Sequence, residues 1–390
     1  MTDDQNNIPP LKALQEVESI LRDNFEIEDW QGLRILFSVA VAHYIPGEPL
    51  WLRVIGASRS GRTEILRALL GDEDSVEMES LTPASIRGGF KGGERLLDRI
   101  DGKRVITKDL APLITARKET RLEIFGLLRS VKDGSISSDF GTFEGHIYQN
   151  IKFDWILAVT PVIESIRQIE SLLGERYIDL HWIPGDRKEM AFKAATNNEN
   201  LADIREQLST SVYALMEAAR QQAPKQKIKL PDKGRRLLAG YADSVALCRS
   251  PVLKDSKGNI LVVPKPEIGT SLAQDFCRVT LGLKLLGIKE LVPYIARLSW
   301  DCIPSMRAII LRALKDEPKS VQQLQEVTGL SKSTIYYHLR DLQILGVVKD
   351  RRSKTKAKAS HLTYNLSEDG DDNITKQVVI KLPPIPKKVR

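Results

Sequence analysis

In LKALQEVESILRDN (11–24), Leu11, Leu14, Val17 and Leu21 recur at the spacing of one helical face. A second helix is expected from about Trp30 to Tyr44, and IPGEP (45–49) is a turn. The period then changes. LWLRVI (50–55) is a short apolar run that predicts a buried strand, and TEILRALL (63–70) returns to helical spacing. KRVITKDL (103–110) and DWILAVTP (154–161) read as two more strands, the latter ending at the polar Thr160 before Pro161. Helices dominate afterwards, at roughly 199–222, 232–249 and 269–287. Short apolar strands alternating with helices predict an α/β core built on a parallel sheet.

The C-terminal pattern is different. PSMRAIILRALKDEP (304–318) predicts a helix with Met306, Ile309, Ile310 and Leu314 on one side. Leu324, Val327 and Leu330 bracket a shorter helix and its turn at Gly329. Ser331 is placed to cap the next helix. There, Ile335, Leu339, Leu342 and Leu345 should face inward, leaving Lys332, Ser333, Thr334, Tyr336, Tyr337 and Arg340 exposed. GVVKDRR (346–352) and HLTYNL (361–366) then read as two strands flanking a basic tip that carries Lys354, Lys356 and Lys358. The resulting division is an N-terminal helical segment (1–48), an α/β core (49–190), a helical region (191–303), a three-helix unit with a wing (304–366) and a charged, flexible tail (367–390). Residues 223–231 look like a connector inside the helical region.

Composition narrows the partners. The 390 residues are 42% hydrophobic and 28% charged, the balance of a soluble globular protein of two or three domains. The three cysteines, Cys248, Cys277 and Cys302, are far apart and odd in number, which argues against a disulfide framework or a zinc site and fits a reducing cytoplasm. The first residues are acidic and polar, unlike a signal peptide, and no apolar run is long enough to span a bilayer. Net charge is +7. Between Asp301 and Leu366, twelve Lys/Arg face six Asp/Glu, so this segment alone is +6. A local basic excess of that kind points to a polyanion.

The chemistry is suggested by GASRSGRT (56–63). A phosphate loop has the pattern G-x-x-x-x-G-K-[ST] between a strand and a helix. Here Gly56 and Gly61 keep the spacing, Arg62 replaces the lysine, and Thr63 stands where a hydroxyl would ligand Mg²⁺. The loop and helix start, with Ser58, Ser60, Arg62 and Glu64, form the candidate nucleotide-binding set. An arginine keeps the positive charge but is larger and planar, so nucleotide binding survives the change better than hydrolysis. Asp109, at the end of its strand, is the candidate Mg²⁺-side acid. A helix-capping role is its alternative, and Leu110 stands where a second carboxylate is usual.

WLRVIGASRSGRTEIL, SIRGGFKGGERLLDRIDGKRVITKDL, LLRSVKDGSISSDFG, ILAVTPVIESI and LLGERYI follow one another in this order. Together they resemble the AAA+ ATPases of phages and mobile elements, distantly similar to the minichromosome-maintenance helicases, over roughly residues 30–310. The resemblance implies that Thr160 is the polar sensor near the γ-phosphate. It also implies that Arg176 is an arginine finger offered to a neighbouring subunit; a surface arginine is the alternative. In PEIGTSLAQDF (266–276), Ser271 stands where the lid usually offers another arginine, with Arg278 as a substitute. KDGSISSDFG (132–141) reads as a polar hairpin; in the similar helicases such hairpins face a DNA channel, where Arg129 and Lys132 would touch phosphates. Residues 304–366 look like a winged helix-turn-helix similar to those of small bacterial transcription regulators. Its second helix would enter the major groove of DNA and its wing lysines would meet the backbone. A winged helix used for protein contacts is the alternative.

These features predict an α/β P-loop, AAA+-like core with a helical lid and a C-terminal winged helix. The partners expected are ATP with Mg²⁺, DNA and further copies of the chain, with no membrane. The expected role is replication or maintenance of a phage or mobile element, as a helicase- or loader-like protein. The alternative is a non-catalytic DNA-binding regulator whose core serves assembly.

Overall fold

The computed structural model describes residues 8–87, 95–140, 143–166, 175–225, 228–255, 259–262, 265–352 and 362–366. By its internal contacts the chain forms two units. One holds the described residues up to Leu230 together with Cys277–Tyr294. The other holds Pro231–Phe276 and Ile295 onward.

The first unit starts with two helices, α1 (Pro10–Asn24) and α2 (Trp30–Ala42). α1 buries Leu14, Val17 and Leu21 of the stripe read from its spacing, and Leu11 is half-buried. Strand β1 (Trp51–Ile55) leads through the glycine loop into α3 (Arg62–Leu69). There follow β2 (Ser75–Glu77), the short helices α4 (Pro83–Arg87) and α5 (Leu96–Ile100), β3 (Arg104–Thr107), α6 (Ala111–Thr115) and α7 (Lys118–Lys132). The polar segment after α7 is a hairpin, as its sequence suggests, of β4 (Ser135–Phe140) and β5 (Phe143–Gln149). Next come β6 (Asp154–Val159), β7 (Ile178–His181), α8 (Arg187–Thr196) and α9 (Leu201–Gln222).

Five strands form one parallel sheet in the order β2-β3-β6-β1-β7. The chain leaves β1 for the far edge, works back through β3 and β6, and crosses to β1's other side at β7. The glycine loop therefore sits at the carboxyl ends of the strands, where that order reverses and where open α/β sheets take ligands. Both sheet faces are covered, which explains the continuous apolar runs. Trp51, Ile55, Val105, Trp155, Leu157 and Val159 share one core with Ile124, Phe125 and Leu128 of α7. The alternate residues Leu52, Val54 and Ile156 are also buried. Within this apolar strand, Arg53 pairs with its register neighbour Asp179 at 2.6 Å, so a charge in the middle of β1 is tolerated.

The second unit contains α10 (Asp232–Arg249), a small hairpin of β8 (Leu253–Lys254) and β9 (Ile260–Val262), and the start of α11 (Thr270–Leu285). α11 ends in the first unit, where a Cβ at Gly282 would collide with the Ser38 carbonyl of α2. After α12 (Val292–Asp301), the C-terminal part runs α13 (Ser305–Leu314), β10 (Lys319–Ser320), α14 (Val321–Thr328), α15 (Lys332–Ile344), β11 (Val348–Arg352) and β12 (Leu362–Leu366). The strands form an antiparallel sheet in the order β10-β12-β11, which with three helices is a winged helix-turn-helix.

Residues 231–276 thus group with the winged helix, whereas their sequence groups them with a helical region ending at 303. Arg307 of α13 supplies one reason. Its guanidinium donates to the Cys248 and Ser250 carbonyls at 2.8 and 2.7 Å and to Asp341 at 3.1 Å. Met306, on the same helical side as Ile310 and Leu314, is 40% exposed, and Val327, which helps bracket the shorter helix, is 64% exposed. The buried face of α13 is turned instead toward Arg307, Ala308, Ile310, Leu311 and Leu314. Ile335, Leu339, Leu342 and Leu345 are buried as expected. The tail from 367 lies outside the described residues. Among the described residues, no helix is long and apolar enough to cross a membrane.

Candidate functional site

The two loop glycines meet different demands. Gly61 has φ +84°, the left-handed region in which glycine carries no Cβ penalty, and begins the turn into α3. Gly56 is small because its neighbours are close: a Cβ would lie 3.1 Å from Trp182 Cβ and 3.3 Å from Arg62 Nε. Arg62 is therefore folded back against the loop's own backbone. Its Nε donates to Ser60 Oγ at 3.0 Å. Nη1 donates to the carbonyls of Val54 and Val159 at 2.5 and 2.7 Å. Nη2 donates to those of Gly56 and Ala57 at 2.6 and 2.9 Å. A guanidinium has five N–H donors, and all five are used. Burial pulls the pKa of Arg62 down to about 10, with the Asp109 charge opposing. It stays a cation at neutral pH. Trp182 closes the other side, donating from Nε1 to the Ser60 carbonyl at 3.0 Å.

The motif spacing makes Arg62 a candidate catalytic and phosphate-binding residue. In this structure it instead holds the loop, tying β1, β6 and the loop backbone together. A lysine, with three donors on a flexible stem, would not saturate this set.

Above the loop is a cavity of about 1000 Å³. Ala57, Ser58, Arg59, Ser60, Gly61, Thr63 and Glu64 contribute from the loop side. Asn24–Glu26 at the end of α1, Pro184, and the residues Arg187, Met190 and Ala191 of α8 contribute further walls. The structure thus brings together Ser58, Ser60, Gly61, Thr63 and Glu64 of the sequence-derived set. Thr63 is exposed to the cavity, as a hydroxyl that meets a metal–phosphate group must be. Glu64 is occupied: Arg205 grips it with two bonds of 2.8 Å, and Arg67 pairs with it at 3.1 Å. Burial raises the Glu64 pKa, but these arginines outweigh it and leave the group below the usual carboxylate value.

Asp109 stands just beyond β3 and does not line the cavity. Its Oδ1 accepts from the Ala111 N–H at 2.8 Å, at the start of α6, whose N-cap is Leu110. Thr160 directly follows β6, the strand between β1 and β3, and is partly exposed. Among the described residues, no group of three or more His, Cys, Asp or Glu could hold a metal ion.

Other candidates lie elsewhere. Arg176 pairs with Asp133 of its own chain at 3.1 Å. Ser271 is exposed near the start of α11. Arg278, the substitute lid arginine, is buried and committed to the carbonyls of Ala42, Ile45 and Glu48, so it has no place at the loop. Lys132 donates to the Pro49 carbonyl and lies 5.1 Å from the Trp51 ring centre, and Arg129 pairs with Asp133. Lys132 is thus a packing residue in this structure, not a free phosphate contact. Sequence reasoning does not find α8 or the Asn24–Glu26 wall. Asp186 ahead of RKEM, which caps α8 through the Lys188 and Glu189 N–H groups, is the available signal.

In the second unit, Ser331 caps α15, accepting from the Thr334 N–H at 3.2 Å. Lys332, Ser333, Tyr336, Tyr337 and Arg340 are exposed, and Thr334 is half-buried. Gly329 turns the chain at φ +71°. Tyr337 is partly engaged: Lys254 Nζ lies 3.2 Å from its ring centre and 2.6 Å from Asp341. Lys354, Lys356 and Lys358 lie outside the described residues.

Residues 304–350 match a family model described as bacterial regulatory protein, arsR family. A solved structure from Cytophaga hutchinsonii, described as a "putative ATPase", is similar over 75% of this chain and 86% of that one. The identity is 12% and the TM-score 0.43, so the likeness adds nothing to the observed topology. No curated protein matches the chain.

Proposed function

We propose that this chain is a DNA-binding protein of the AAA+ type whose core takes up ATP with Mg²⁺. The resemblance to phage and mobile-element ATPases extends the proposal to replication or maintenance of such an element, in a helicase- or loader-like role and as a homo-oligomer. One observation carries the nucleotide part: a loop with phosphate-loop spacing, at the carboxyl ends of a parallel sheet, opens onto a cavity of about 1000 Å³. Helix N-termini and glycine turns present N–H groups to phosphate oxygens, and Thr63 adds a hydroxyl there. The DNA part rests on the winged helix, its match to regulatory proteins and the basic excess of that segment.

A second reading, a regulator that binds ATP without turning it over, is favoured by Arg62. Its donors are spent on the loop itself, leaving none for a transferring phosphoryl group. The two readings are separated by measuring ATP affinity and turnover, with and without DNA, alongside DNA filter binding. Tight ATP binding with negligible turnover fits the regulator. DNA-stimulated turnover that is lost in Arg176→Ala fits the ring ATPase. No affinity for DNA at low salt overturns both.

A further inference from the structure

The charges around the loop cavity do not balance within the protein. Two acids line it, Glu26 and Glu64, and both are paired. Glu26 meets Lys193 at 3.3 Å, and Lys193 also donates to the Arg22 and Phe25 carbonyls. Glu64 is held by Arg205 and Arg67. Two lining cations remain, Arg59 and Arg187. Both are exposed, and among the described residues neither has an ion-pair or hydrogen-bond partner.

Their settings are unusual in different ways. Arg59 has φ +60°, a left-handed conformation uncommon outside glycine and asparagine, and it stands in the phosphate-type loop itself. Arg187 is the first residue of α8, whose ten residues include none that is buried. This helix is nonetheless fixed in place, by the Asp186 cap, by Lys193 and by the Asn197 amide on the Asn24 carbonyl at 2.6 Å. Its Met190, Ala191 and Ala194 line the same cavity as Arg187. A helix anchored by polar ties, with an apolar patch and an unpaired arginine on a cavity, is completed by a ligand with an apolar part and an anionic part.

We propose that Arg187, assisted by Arg59, is the phosphate-binding cation of this site, in place of the lysine absent at position 62. The ligand is a nucleoside polyphosphate whose base rests on Met190, Ala191 and Ala194. The inference rests on the nucleotide reading under Proposed function and names the residues that carry it. A guanidinium grips phosphate oxygens through two parallel N–H bonds, and two such groups in a partly enclosed cavity concentrate anions.

The test titrates the full chain, Arg187→Ala, Arg187→Lys and Arg59→Ala with a fluorescent ATP analogue, and with inorganic tripolyphosphate as competitor. In Arg187→Ala, affinity for the analogue falls roughly 10-fold or more, as expected for one charge-assisted hydrogen-bonded pair. Arg187→Lys recovers part of it, and tripolyphosphate competes at the wild-type site but poorly at Arg187→Ala. The unliganded thermal midpoint stays unchanged, because the side chain has no partner to lose among the described residues. Analogue binding equal in wild type, Arg187→Ala and Arg59→Ala overturns the inference and leaves the nucleotide reading standing. A wild type that binds no analogue overturns both. Tripolyphosphate that binds as tightly as the analogue overturns the assignment of the base wall.

Discussion

The Arg62 guanidinium lies 2.6 Å from the carbonyl oxygen of Gly56, the first residue of the loop that Arg62 ends. The loop is closed on itself by the arginine at its end, and Gly56 is small so that this can happen. Arg62→Ala would remove five donated hydrogen bonds from the loop; the Val159 carbonyl keeps the Gly56 N–H as a donor, and each buried carbonyl left unsatisfied costs about 1–3 kcal/mol. The expected result is a clear drop in the urea or thermal midpoint without ligand. Arg62→Lys should fall between wild type and Arg62→Ala. An unchanged midpoint in Arg62→Ala would show that the guanidinium does not hold the loop.

The loop glycines should respond differently to alanine. Gly61→Ala meets no neighbour within 4 Å but forces a Cβ into a left-handed backbone, costing about 1–2 kcal/mol. Gly56→Ala has the reverse problem and should displace Arg62 and Trp182. Trp182 fluorescence and denaturant midpoints separate the two: only Gly56→Ala should alter the native emission.

Binding of DNA should depend steeply on salt. If Lys332 and Arg340 each neutralise one phosphate, Lys332→Ala or Arg340→Ala should lower the slope of log affinity against log salt by about 0.9. Tyr336→Ala should weaken binding with no change in slope. Val327, 64% exposed on the preceding helix, makes a control: Val327→Ser should leave affinity unchanged if α15 alone reads the duplex. Filter binding over a salt series checks all four variants.

His338 gives the second unit a pH dependence. Burial lowers its pKa to about 4, helped by the charges of Arg307 and Lys254 and opposed by Asp341. The unfolded chain takes up that proton near pH 6.5, the ordinary value, and the folded chain does so only near 4. Stability is therefore kept above about pH 6.5 and lost as pH falls toward 4. Denaturant midpoints across this window should flatten in His338→Gln.

Arg176 and Asp133 test assembly. Their pair is partly exposed, so Asp133→Asn should cost about 1 kcal/mol or less. If Arg176 serves a neighbouring subunit, Arg176→Ala should abolish turnover while leaving ATP affinity and monomer stability near wild type. Turnover, titration and sedimentation on the same samples decide it.

Much of the architecture is legible from local pattern. Trp51–Ile55, Asp154–Val159, Asp232–Arg249 and the Ser331-capped helix announce themselves because apolar period and capping chemistry are local. β2 and β7 escape such a reading: they are short, and β7 carries Asp179, a charge acceptable only because Arg53 lies beside it in the register. Met306 shares a helical side with Ile310 and Leu314 yet is 40% exposed, because a helix stripe shows which residues share a face, but not how wide the buried part of that face is.

The sequence by itself determined the glycine spacing, the α/β alternation, the basic C-terminal segment and the helix that winged domains present to DNA. These follow from periodicity, backbone freedom and charge, all of which are properties of neighbouring residues. The tertiary structure alone decided where Arg62 points, that Arg278 and Lys132 are structural, and that, among the described residues, Arg187 and Arg59 are the unpaired cations on the cavity. A side chain's partners come from strands and helices tens or hundreds of positions away. An arginine's role depends on whether those partners have already used its five donors.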